Sequence, residues 1–107
     1  MWQGIVILVL LSHATAATAQ HVTLIGAGTN ATCGTWADGR KTTRGWYDMG
    51  NWAFGFLSGA AVYSSILDPL NGMDADGVAD WLDNYCKAHA VEPFAAALKA
   101  FVSAHPN

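Results

Sequence analysis

Charged side chains are scarce in this chain: five Lys/Arg and eight Asp/Glu make up 12% of its 107 residues, about half the usual share. A formal charge of only −3 excludes an electrostatic nucleic-acid binder, which needs a clustered basic face. Long apolar runs are missing too. The longest near the N-terminus, Gly4 to Leu11, falls far short of the roughly 20 residues that a membrane-spanning helix requires. No histidine among His21, His89 and His105 has a Cys or His partner at zinc spacing. Proline and cysteine are few, three and two, and no internal repeat is evident. Aromatics and glycine, in contrast, are plentiful: five Trp and eleven Gly do not suit a disordered tail and point to a folded domain with an aromatic core.

The apolar run Gly4 to Leu11 has the length of a signal-peptide h-region, and Ala17-Thr18-Ala19 supplies an A-x-A cleavage pattern before Gln20. Met1-Trp2-Gln3 lacks the usual basic residue. Residues 1–19 are therefore read as a signal peptide. A periplasmic or secreted product over residues 20–107 follows, with no stable membrane span after cleavage. The competing reading is a buried hydrophobic helix or an uncleaved anchor. In an oxidising compartment the two cysteines, Cys33 and Cys86, allow a single intramolecular pairing. Closing that 53-residue loop contributes about 4 kcal/mol in the chain-entropy model, comparable with the net stability of a small domain.

Along the remaining chain, His21-Val22-Thr23-Leu24-Ile25 is β-prone. The Gly-, Thr- and Asn-rich stretch after it reads as an irregular arm, so residues 20–45 form the arm and 46–107 the helical domain. From Trp46 to Ser65 the residues Met49, Trp52, Ala53, Phe56, Leu57, Ala60 and Tyr63 repeat at helical spacing. Gly55 and Gly59 each cost that helix about 1 kcal/mol against alanine. They predict a close approach by another backbone, in the monomer's interior or at a dimer interface. Pro69 and Asn71-Gly72 mark a turn. Asp74 then caps a second helix whose inner face is Val78, Trp81, Leu82, Tyr85, Cys86 and His89, with Asp80, Asp83, Asn84 and Lys87 facing away. A third helix starts near Glu92-Pro93, carries Phe94, Ala97, Leu98, Phe101 and Val102 inward, and ends at His105-Pro106. The expected fold is all-α: a small three-helix bundle with an irregular N-terminal arm tethered by one disulfide.

The motifs that could carry chemistry are weak. Asp74-Ala75-Asp76-Gly77 invites a calcium loop, but that frame puts Gly72 where the first acidic ligand belongs, so helix capping explains the aspartates. Gly26-Ala27-Gly28 lacks the rest of a dinucleotide fingerprint. Capping or surface roles are expected of the histidines. A Cys86 thiolate paired with His89 would be consumed by the disulfide. No catalytic residue, metal or cofactor is expected, and the chain is read as no enzyme. Asn30-Ala31-Thr32 is a glycosylation sequon relevant to a eukaryotic secretory pathway. The one basic cluster, Arg40, Lys41 and Arg44, is flanked by Trp36 and Trp46. These five residues are the candidate surface for a partner, as a cation–π lined patch suited to an acidic protein or a glycan. Their alternative is a solvated loop beside two core aromatics.

Three segments carry a resemblance: Cys33-Gly34-Thr35-Trp36, Trp52-Ala53-Phe54-Gly55-Phe56-Leu57-Ser58-Gly59 and Trp81-Leu82-Asp83-Asn84-Tyr85-Cys86. The closing Ala88-His89-Ala90-Val91-Glu92-Pro93 and Phe101-Val102-Ser103-Ala104-His105-Pro106 extend it. In these the chain resembles small exported, mostly uncharacterised two-cysteine helical proteins of proteobacteria. In its two-cysteine helical layout it is distantly similar to acid-stress chaperones of the HdeA type and to immunity proteins that neutralise type VI secretion amidases. The resemblance implies a protein partner in the cell envelope and an immunity or inhibitor role. A periplasmic acid-stress chaperone is the alternative, although eight carboxylates are a light load for acid-triggered opening. A small cell-wall-acting enzyme is the third.

Overall fold

The computed structural model describes residues 3–7 and 21–107. Most of the leader expected over 1–19, and its cleavage point after Ala19, lie outside them. The described residues form four helices, α1 (Cys33–Gly39), α2 (Thr43–Tyr63), α3 (Ala75–Ala88) and α4 (Phe94–Ala104). The all-α class holds, with four helices where three were expected. The additional one, α1, lies inside the stretch 20–45 that glycine and threonine marked as irregular.

Local capping and tertiary burial together explain α1. The Thr32 hydroxyl accepts from the Thr35 N–H at 3.3 Å, and the Thr35 hydroxyl accepts from the Thr32 N–H at 3.1 Å. This reciprocal box satisfies donors that a helix start leaves open. Seven residues of modest helix propensity could not persist alone. Here Cys33 and Trp36 are 0% and 1% exposed, and burial of that ring supplies what propensity does not. Trp36 stacks on Phe94 of α4, with ring centroids 5.2 Å apart. The Cys33–Cys86 disulfide joins the start of α1 to the end of α3, with the Cα atoms 4.9 Å apart. α1 packs against each of the other helices, and α4 packs against α2 and α3.

Residues 21–25 make no strand, and the β-branched run forms no backbone–backbone hydrogen bond among the described residues. The arm is held by Trp52 of α2, whose indole N–H donates to the Ile25 carbonyl at 2.8 Å. Gly26, at φ +114°, lies so close that a Cβ there would sit 2.6 Å from the ring. Further on, Thr32 bridges to Pro93, with Cys33 N–H donating to Glu92 O at 2.9 Å and Phe94 N–H to Ala31 O at 2.8 Å.

Thr42 caps α2 by accepting from the Gly45 N–H at 3.0 Å, and Met49, Ala53 and Leu57 turn inward. Of the two settings left open for Gly55 and Gly59, the monomer's interior is excluded: a Cβ on either would meet nothing within 4 Å. Inside the chain the close approach falls instead at the α1–α2 corner, where a Cβ on Gly45 would lie 2.6 Å from the Gly39 Cα. Asp74 caps α3 by accepting from the Gly77 N–H at 2.7 Å. Asp76 in its first turn and Lys87 in its last complement the helix dipole. Phe94, Ala97, Leu98 and Phe101 of α4 are fully buried, the stripe read from the sequence. No helix among the described residues is long and apolar enough to cross a membrane.

Candidate functional site

Where α1 ends, Arg40 turns its side chain toward α3. Its Nε donates to Asp83 Oδ1 and Oδ2 at 3.1 and 3.2 Å, and its Nη2 to Oδ2 at 3.1 Å. The same carboxylate accepts from the buried Trp36 indole N–H at 2.8 Å. On its other side the guanidinium lies 4.7 Å from the Trp46 ring centroid and 5.8 Å from that of Trp36, a cation–π arrangement. The two indoles meet edge to face, with centroids 6.1 Å apart. About a third of each side chain, 32% of Arg40 and 31% of Asp83, still reaches solvent. Arg40 is thus a fixed, planar cation at the surface, oriented by one carboxylate and one indole.

The five residues picked out from the sequence separate into layers. Trp36 is 1% exposed and is a core ring beneath the surface, not part of it, because α1 forms and turns it inward. Trp46 is half-buried under Arg40. Lys41 and Arg44 face solvent, each beside an aspartate of its own segment: Lys41–Asp38 at 3.2 Å and Arg44–Asp48 at 3.7 Å. Such exposed pairs are weak and readily exchanged. Two residues of α3 complete the site and were missed. Asp83, expected to face away, is half-buried in the clamp, and Lys87 lines a depression of about 270 Å³ together with Ala37, Arg40, Asp83 and Cys86. A signal for Asp83 existed. Trp36 follows Cys33 by three residues and Asp83 precedes Cys86 by three, so a disulfide between antiparallel helices sets them side by side.

Elsewhere, a groove of about 390 Å³ runs between the arm and α2, lined by Leu24, Ile25, Trp52 and Phe56 among others. Trp81, Tyr85 and His89 stack along α3. The Tyr85 hydroxyl donates to Glu92 Oε1 at 2.8 Å. That hydrogen bond, with desolvation and the carboxylate's charge, raises the phenol's pKa above its ordinary value of 10.0. His89 and His105 end α3 and α4, each with Nδ1 2.7 Å from the carbonyl four residues back, on Tyr85 and Phe101. These are the capping roles expected of them. No family model, curated protein or solved structure matches this chain.

Proposed function

We propose that this protein is exported and, held by its disulfide, binds another protein in the bacterial envelope as an immunity or inhibitor protein does. The observation that carries the reading is Arg40, fixed between Trp46 and Asp83 at the edge of a depression. Arginine and tryptophan are the residues that most often anchor protein interfaces, and a side chain already ordered loses little entropy on binding. Four of the chain's five cations, Arg40, Lys41, Arg44 and Lys87, stand on this corner. The partner surface that fits presents carboxylates around an apolar contact, its acids replacing Asp38 and Asp48 beside Lys41 and Arg44. The disulfide supports the export half of the reading, because such bonds persist in oxidising compartments.

The test is recovery of the tagged full chain from the envelope fraction of its own host after cross-linking. One partner in a fixed ratio is expected, and the Lys41→Glu/Lys87→Glu variant should lose it while keeping its helix content. Equal recovery by both proteins would remove this surface from the reading. Recovery of many denatured clients, and only after acid shock, would favour the chaperone alternative.

A further inference from the structure

Arg40 spends only part of its hydrogen-bonding capacity inside the chain. Asp83 takes the Nε–H and one N–H of Nη2. A guanidinium carries two more N–H groups on Nη1 and a second on Nη2, and none of these has an acceptor among the described residues. Together they form the end-on fork that takes a carboxylate through two parallel bonds. Trp46 covers one face of the group and Asp83 one edge, so the fork is what the remaining exposure of Arg40 offers a ligand. Lys87 adds a second cation. Asp83 lies four residues before it on α3, the spacing at which an acid ordinarily pairs with a lysine. That carboxylate is turned instead to Trp36 and Arg40, and Lys87 makes no ion pair with any acid among the described residues. Arg40, Lys87 and Asp83 therefore leave one net positive charge on the depression, whose other lining residues, Ala37 and Cys86, are uncharged.

We infer, resting on the reading of an envelope partner above, that this depression receives one of that partner's carboxylates, an Asp or Glu side chain. The Arg40 fork takes it end-on and the Lys87 ammonium takes it from α3. The planar fork matches two oxygens on one carbon, which a lysine in its place would not. One acid neutralises the net charge, and Asp83, bonded to the same guanidinium, disfavours a doubly charged group such as a phosphate. Trp46 and Asp83 hold Arg40 in place before the acid arrives, so little order is lost on binding. Lys41 and Arg44, each already beside an aspartate of its own segment, stand at the rim.

The receptor is tested first, without a partner. Isotope-labelled protein recovered from expression of the full chain is titrated with sodium acetate, and with sodium chloride at equal ionic strength, in an NMR spectrometer. The Trp36 indole N–H shares the Asp83 carboxylate with Arg40 and reports a ligand drawn onto the guanidinium. Acetate should move its resonance saturably, half-saturating below about 0.1 M, the affinity expected of partly exposed charges; chloride should not. Lys87→Ala should raise the half-saturation concentration about fivefold, whereas Lys99→Ala, on α4 and outside the depression, should leave it unchanged. No movement, or equal movement by both salts, overturns the inference. The source is then read by carbodiimide coupling in the envelope fraction, which joins a carboxylate directly to an amine in contact with it. Peptide mass spectrometry should find Lys87 Nζ joined to an Asp or Glu of one other protein, and Lys87→Arg should remove that link. Coupling through Lys41 or Lys99 alone, or from Lys87 to a second copy of this chain, overturns the partner's side chain as the occupant. A partner captured by longer cross-linkers but never joined to Lys87 sinks this inference and spares the reading it rests on; no partner by either route sinks both.

Discussion

Replacing Asp83 by alanine separates the two jobs its carboxylate performs. The Trp36 indole N–H, 2.8 Å from Asp83 Oδ1 on a ring that is 1% exposed, would lose its acceptor. An unsatisfied buried donor costs about 1–3 kcal/mol. Loss of the Arg40 pair adds little, about 0.5 kcal/mol, because both side chains are near one-third solvent-exposed and a pair of that kind is screened. Asp83→Ala should therefore cost about 1.5–3.5 kcal/mol. Asp83→Asn keeps an oxygen for the indole and should cost about 0.5–1 kcal/mol, as should Arg40→Met, which leaves the indole bond in place. Urea unfolding followed by tryptophan fluorescence reads the difference. With a slope near 1 kcal/mol/M, the midpoint should fall by about 1.5–3.5 M for alanine and by no more than about 1 M for the other two. Equal losses for Asp83→Ala and Asp83→Asn would show that the ion pair, and not the buried indole, gives Asp83 its weight.

Replacing Cys33 and Cys86 together by alanine should lower stability by about 4 kcal/mol, measured by the same titration; a loss under about 1 kcal/mol would mean that the 53-residue loop is already restrained without the bond. Two glycines of α2 should respond in opposite directions. Gly45→Ala places a methyl 2.6 Å from Gly39 and should destabilise by about 1–3 kcal/mol, whereas Gly55→Ala meets open space and should stabilise the helix by about 0.5–1 kcal/mol. For Tyr85, whose pKa in the folded state is raised chiefly by its hydrogen bond to Glu92, the folded state holds the proton more tightly than the unfolded one. The stability this brings is fully present below pH 10 and is lost as pH rises through the raised value. Tyr85→Phe should remove the last phase of the tyrosinate absorbance titration and flatten the alkaline loss of stability.

The helices that could be read from sequence are those whose apolar periodicity is strong. Val78, Leu82 and Cys86 in α3, and Phe94, Ala97, Leu98 and Phe101 in α4, repeat at three- and four-residue intervals and are buried as that pattern requires. Asp74 announced its helix by a cap chemistry that few other positions share. α1 escaped notice because seven residues, Cys33–Gly39, are too few to display a period, and what fixes them is distant: Cys86, Phe94 and Asp83. Gly55 and Gly59 left their setting open for a related reason. Two glycines in a helix announce a close approach, but not whether it comes from within the chain, and the approach inside the chain falls at Gly39 and Gly45. At the candidate site the basic residues and Trp46 were legible, since aromatic and cationic side chains clustered in one short segment. Asp83 was legible only through the Cys33–Cys86 pairing and the three-residue spacings to it, because 43 residues of chain separate it from Arg40, and Lys87 carried no comparable signal.

The proposed partner surface is tested most directly by a photo-activated cross-linking residue at Ala37, which lines the depression beside Arg40 and is itself exposed. A control carries it at Ser103 on α4, also exposed. Irradiation of cells producing the full chain should yield one discrete adduct from position 37 and none from position 103. A ladder of diffuse adducts from both positions, or no adduct from 37 while the protein is abundant in the envelope, would contradict a partner seated on the Arg40–Trp46 corner.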